Sequence, residues 1–167
     1  MNSRIKKQEQ LKELIQYLII LLVALVMSLF VVSVVTKKYH PVFVSGSSMS
    51  PTFKNGNILV STVDFEYNDL EIGDIIVFNK GKQMIKRIVA KEGDVIHIVN
   101  GLLYVNNELS VYQFEHIEDA GMLNEPYTVK ANELFCLGDN RNNSSDSRKY
   151  GPINFDEIRF KIIGKFF

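Results

Sequence analysis

The sequence predicts a mainly β protein: an antiparallel β-sandwich or barrel-like domain behind one N-terminal transmembrane α-helix. Three observations predict it. Residues 14–36 carry no charged side chain. No stretch after position 36 keeps a helical period of apolar residues. The chain beyond that point is instead a series of short apolar runs separated by turn residues, as in an all-β domain.

The membrane helix comes first in the chain. Residues 14–36 number 23, and at about 1.5 Å per residue a helix of that length reaches roughly 34 Å, enough for a hydrocarbon core of about 30 Å. A cleaved leader would have a shorter apolar run, about 7–15 residues, ending in a small-x-small exit. Val34-Val35-Thr36-Lys37-Lys38 offers no such exit, so the helix is expected to stay as an anchor. Lys and Arg number four in residues 1–13 (Arg4, Lys6, Lys7, Lys12) against two on the other flank (Lys37, Lys38). That count favours a cytoplasmic segment 1–13 and an extracytoplasmic domain 37–167.

In the outer part, 58–63 and 74–78 read as short strands, and 83–90 as a strand mixing apolar and basic residues. The clearest local signal is 94–99, then Asn100-Gly101, then 102–105. Asn-Gly between apolar runs is the favoured two-residue hairpin turn, because both positions tolerate positive φ. Residues 111–125 read as a polar surface excursion. Residues 127–130 and 133–137 read as a strand pair around Ala131-Asn132. Residues 158–167 supply a last strand, with Gly164 marking a bulge.

Composition narrows the function. Formal charge is balanced, 19 basic against 19 acidic residues, so nothing resembles the basic footprint of a nucleic-acid binder. One cysteine, Cys136, excludes an intrachain disulfide and reads as a small core residue. His40, His97 and His116 share no ligand spacing, so neither a metal nor a cofactor is expected.

The chemistry centres on Ser48, in Ser45-Gly46-Ser47-Ser48-Met49-Ser50-Pro51-Thr52. A serine hydroxyl needs a base to become a nucleophile. No histidine stands in a triad motif, and there is no Gly-x-Ser-x-Gly elbow, since Ser50 occupies the last position. A lysine can serve if burial lowers its pKa from about 10.4. In Met84-Ile85-Lys86-Arg87-Ile88, strand alternation puts Lys86 on one face with Met84 and Ile88, an apolar setting. Taken singly, each feature has a bland alternative: a loop serine, an outward lysine, a solvated turn.

Together these residues resemble the bacterial type I signal peptidases, in their small single-span form. The serine motif stands as Ser48-Met49-Ser50-Pro51-Thr52 and a Gly-Asp-hydrophobic block as Gly73-Asp74-Ile75-Ile76-Val77-Phe78. The lysine motif stands as Lys86-Arg87-Ile88-Val89 with Gly93-Asp94, and the eleven-position block 138–148 is complete. The resemblance implies a membrane-bound serine endopeptidase cleaving signal peptides from secreted preproteins with a Ser–Lys dyad. It would lie in a bacterial plasma membrane, with preproteins and the lipid bilayer as partners.

By the same resemblance, Ser48 is the nucleophile, Lys86 the base, and Ser144 orients the lysine amine. Asp146 and Arg148 form a supporting ion pair, aided by Arg141. Met49, Phe53, Met84 and Ile85 line pockets for small substrate residues. The position where some relatives place an oxyanion-binding serine is Gly46, leaving the backbone N–H of Ser48 and the hydroxyl of Ser47. Two readings from other classes stay open: a catalytically silent relative that binds partners, and a self-cleaving repressor-type Ser–Lys protease.

Overall fold

A computed structural model describes residues 2–166. The chain divides into two units between Lys38 and Tyr39. The first is one α-helix, α1 (Asn2–Lys38), of 37 residues. It contains the uncharged stretch and continues through the charged residues before it. Its apolar side chains from Leu11 to Val35 are exposed. The hydroxyls of Ser28 and Thr36 donate to the carbonyls of Leu25 and Val32, at 2.8 and 2.9 Å.

The second unit is built from antiparallel strands: β1 (Tyr39–Phe43), β2 (Ile58–Thr62), β3 (Ile75–Asn79), β4 (Gln83–Lys91), β5 (Val95–Val99), β6 (Leu102–Val105), β7 (Glu108–Leu109), β8 (Tyr127–Thr128), β9 (Glu133–Leu137), β10 (Ile153–Asn154) and β11 (Ile158–Lys165). Seven form one sheet, in the order β1-β2-β11-β3-β4-β9-β10, and four form a second, β7-β6-β5-β8. Strand alternation divides the large sheet's apolar residues. Ile76 and Phe78 pack with Met84, Ile88 and Cys136 on one face, while Ile75 and Val77 pack with Val42, Met49 and Leu59 on the other. A third cluster joins Val89, Phe135 and Leu137 to Ile96, Ile98 and Leu103 of the small sheet.

The hairpin turn at Asn100-Gly101 has φ of +48° and +71°, as its sequence requires, and pairs Val99 with Leu102. The ladder of β11 shifts register between Ile162 and Gly164, where a bulge is expected. Of the last predicted strand, Phe167 lies outside the described residues.

Four expectations need correction. First, β8 and β9 do not pair with each other: β8 joins β5, and β9 lies between β4 and β10. The turn between them is real, with Asn132 at φ +60°, but it carries the chain from one sheet to the other. Second, residues 111–125 are more than a surface excursion. Ile117 and Leu123 are buried in the third apolar cluster, and the rings of Tyr112 and Phe114 lie 5.0 and 5.3 Å from the Arg87 guanidinium. Third, the expected strands start at position 58, but an earlier one, β1, spans Tyr39–Phe43 and contains Pro41. It is an edge strand, where proline is tolerated. Fourth, a one-turn helix, α2 (Ser147–Tyr150), is capped by Asp146, which accepts from Arg148 N. One turn is too short to leave a period in the sequence.

Candidate active site

The lysine strand comes first, because its surroundings set its chemistry. Lys86 faces Ile76 across the ladder to β3 and shares its strand face with Met84 and Ile88. Only 3% of it is exposed. Burial lowers the Lys86 pKa from its usual value; Asp146 opposes the shift, and Lys82 adds to it. The lysine amine is therefore deprotonated more readily than a solvated one.

Ser48 arrives from the turn after β1. Ser50 N donates to Ser47 O at 3.0 Å, and Phe53 N to Met49 O at 2.8 Å. Gly46 starts the turn with φ +93°, a conformation that side chains of L residues rarely adopt. Glycine suits this position. The turn brings Ser48 Oγ to 2.9 Å from Lys86 Nζ, and the amine also donates to the carbonyl of Ile85 at 2.9 Å.

The loop after β9 closes the site from behind. Asp146 is fully buried and takes two hydrogen bonds from the Arg148 guanidinium, at 2.8 and 2.9 Å. It also accepts from Gly138 N at 3.0 Å. Arg148 Nη2 donates to the Arg141 carbonyl at 2.5 Å. Arg141 is 1% exposed and donates to the carbonyls of Gly138 and Tyr112. Burial pushes its pKa down.

One of the expected site residues lacks the bond expected of it, and two are not in the cleft lining. Ser144 is buried near Ser48, but its hydroxyl has no hydrogen-bond partner, so no bond joins it to Lys86 here. Lys86 instead spends one N–H on Ile85 O. Ser47 accepts from Asn143 Nδ2 at 3.0 Å and does not line the cleft that Ser48 opens into. Phe53 is not in the cleft lining either; it packs in the apolar cluster beneath it, with Val42, Val44, Met49 and Val77. The cleft has a volume of about 370 Å³. Met49, Met84 and Ile85 line it, joined by Val42, Val44 and Lys82.

A second set of buried groups ties the motifs together. Arg87 Nε and Nη2 donate to Asp139 at 2.8 and 2.7 Å, and Nη1 donates to Gly73 O at 2.7 Å. Thr52 Oγ1 donates to the same carboxylate at 2.5 Å. The bidentate fork thus joins the serine turn, the lysine strand and the 138–148 loop. Thr52, Arg87 and Asp139 all stand in the sequence motifs that carry the resemblance. The signal was a charged or hydroxyl residue at a fixed place in each block, and only their burial in one network assigns the role. None of the three histidines lines the cleft. Among the described residues no cluster of His, Cys, Asp and Glu is placed to hold a metal ion.

Comparison with known proteins bears on the family. The family model "Signal peptidase, peptidase S26" matches residues 14–167. The probable signal peptidase I-1 of Synechocystis sp. is 31% identical over 161 aligned positions, covering 89% of this chain and 80% of that protein. Signal peptidase IB of Staphylococcus aureus strain Mu50 is 32% identical over 177 aligned positions, covering 93% and 90%. A crystal structure of a signal peptidase I from Enterococcus faecalis V583 aligns at 24% identity over 59% of this chain and 97% of that one, with a TM-score of 0.43. A family match reaching from the apolar helix to the last residue, with relatives above 30% identity along most of both chains, leaves one membership: the chain belongs to the signal peptidase I family, peptidase S26, and is a serine peptidase.

Proposed function

We propose that the chain is a membrane-anchored endopeptidase that removes signal peptides from secreted preproteins, with Ser48 as nucleophile and Lys86 as general base. The observation that carries it is the 2.9 Å approach of Ser48 Oγ to Lys86 Nζ inside an apolar setting. With the amine neutral, the hydroxyl donates its proton to the nitrogen lone pair and Oγ attacks the substrate carbonyl. The backbone N–H of Ser48 is the candidate donor to the developing oxyanion. Lys86, now charged, passes the proton to the leaving amine. It then takes a proton from the water that hydrolyses the acyl-enzyme.

The sheet sets the substrate's place. β9 covers the edge of β4 only from Arg87 onward, so on that side residues 83–86 have a free edge. An extended peptide adds there by main-chain hydrogen bonds. Its side chains before the cut enter the cleft walled by Val42, Val44, Met84 and Ile85, which suits small residues.

The anchor reading rests on α1. It exposes a continuous apolar surface, and the hydroxyls of Ser28 and Thr36 are satisfied within the helix, as a lipid environment demands. The charge count favours residues 1–13 inside and 37–167 outside.

The test is cleavage of a purified preprotein by wild type, Ser48→Ala, Lys86→Ala and Lys86→Arg, side by side. Loss of the base costs at least about 10²–10⁴-fold, and arginine cannot replace it because a guanidinium stays protonated. Turnover by Lys86→Ala above a few per cent of wild type refutes the dyad.

A further inference from the structure

A second cavity lies on the far side of the serine turn. It has a volume of about 240 Å³ and is lined by Ser50, Pro51, Phe114, Glu115, Asp139 and Asn140. The turn is the partition, since Ser48 and Met49 face the first cleft while Ser50 and Pro51 face this one.

The sheet sets the path from one to the other. A peptide on the free edge of β4 runs alongside residues 83–86 and can go no further as a strand, because Leu137 of β9 pairs with Arg87. Beyond that point its line continues over the loop after Leu137. That loop is pressed against the serine turn: Asn140 N donates to Ser48 O and Asn140 Nδ2 to Ser47 O, both at 3.1 Å. Asp139 and Asn140 are also the cavity's near wall. The residues before the cut fill the first cleft, so those after it are delivered here.

The wall chemistry is specific. Pro51 and the exposed Phe114 ring give apolar surface. The Asp139 carboxylate is taken up by Arg87 and Thr52. Glu115 is exposed, accepts one hydrogen bond from Asn142 N at 3.1 Å, and has no ion pair among the described residues. One carboxylate without an ion pair therefore stands at the rim.

We propose that this cavity is the leaving-side subsite, holding the first two or three residues of the mature protein, and that Glu115 favours a Lys or Arg there over an Asp or Glu. The proposal rests on the peptidase reading.

The experiment uses the full chain in detergent micelles and two signal-peptide substrates that differ only at the second residue after the cut, Lys or Glu. Each enzyme is scored by its own kcat/KM ratio for the two, so differences in folded fraction cancel. Wild type is expected to prefer the Lys substrate by about two- to fivefold, the size of one solvent-exposed charge pair. Glu115→Lys reverses the ratio, and in 1 M salt, where the screening length is about 3 Å, both ratios move toward one. Glu115→Gln, expected to bring the ratio close to one, gives the same answer if Glu115→Lys yields no folded protein. A ratio unchanged by either substitution overturns the subsite and leaves the peptidase reading standing. Failure of wild type to cut either substrate overturns that reading and the subsite with it.

Discussion

Gly138 lies so close to Ser144 that no side chain fits between them: a methyl group on Gly138 would sit 2.6 Å from both Ser144 Cβ and the Ser48 carbonyl oxygen. The constraint is close approach rather than backbone conformation, since Gly138 is not among the residues with positive φ. One glycine thus sets the spacing between the loop after β9 and the serine turn.

Gly138→Ala is therefore expected to push Ser144 and Ser48 apart. Overpacking of this kind costs about 1–3 kcal/mol, and a displacement of the nucleophile by a fraction of an ångström costs activity as well. The measurement is kcat/KM together with the thermal midpoint. Wild-type turnover in Gly138→Ala would mean that the loop and the turn can separate without moving Ser48 from Lys86.

Activity is expected to rise with pH as Lys86 loses its proton. Burial lowers the lysine pKa, with the Asp146 charge opposing it. The neutral amine has two N–H donors and one lone pair. The lone pair serves the Ser48 hydroxyl, and one donor is held by Ile85 O. The resemblance gives the remaining donor to Ser144, whose buried hydroxyl has no hydrogen-bond partner. Ser144→Ala removes that option but keeps the base, so it should retain partial activity, well above Lys86→Ala, with a shifted or shrunken pH–rate profile. A flat wild-type profile from mildly acidic to alkaline pH counts against a titrating lysine. Unchanged kinetics in Ser144→Ala remove Ser144 from the site.

Protease added outside intact spheroplasts is expected to digest residues 37–167. The apolar stretch of α1 is long enough to span, and the basic residues are more numerous before it than after it. Full protection of the domain would reverse the topology.

The parts legible in the sequence were those fixed by local rules. Asn100-Gly101 needs positive φ and marks its hairpin unaided, and alternation through Met84, Lys86 and Ile88 is enough to bury the lysine. Long-range placement was not legible in the same way. That β8 and β9 part to different sheets depends on which neighbours each finds, and the turn between them looks the same in either case. The side-chain directions of Ser47 and Phe53 were hidden for a similar reason. Both belong to the serine turn, but Asn143 draws the hydroxyl of Ser47 aside, and Phe53 goes to the apolar cluster beneath. Likewise, nothing local ties Arg87 to Asp139, 52 positions away.

Lys86→Met is expected to make the protein inactive and more stable at neutral pH. A buried ammonium is costly, and methionine fits beside Met84 and Ile88. Replacing the buried amine by an apolar residue of similar size removes the desolvation cost of its charged form where packing is kept. Linkage gives the sign with pH. Lys86 titrates lower in the folded state than its ordinary value of 10.5, so between those two pKa values the unfolded chain binds more protons and wild-type stability rises with pH. Below the folded pKa the wild type bears the full penalty, and the variant's advantage is largest and constant. Through the window up to 10.5 that advantage shrinks, and above it little remains. The measurement is the difference in thermal midpoint between the two proteins as a function of pH, in which titrating groups not coupled to Lys86 cancel. An advantage that grows with pH, or two proteins equally stable at every pH, would show that Lys86 is not held in an environment that favours its neutral form.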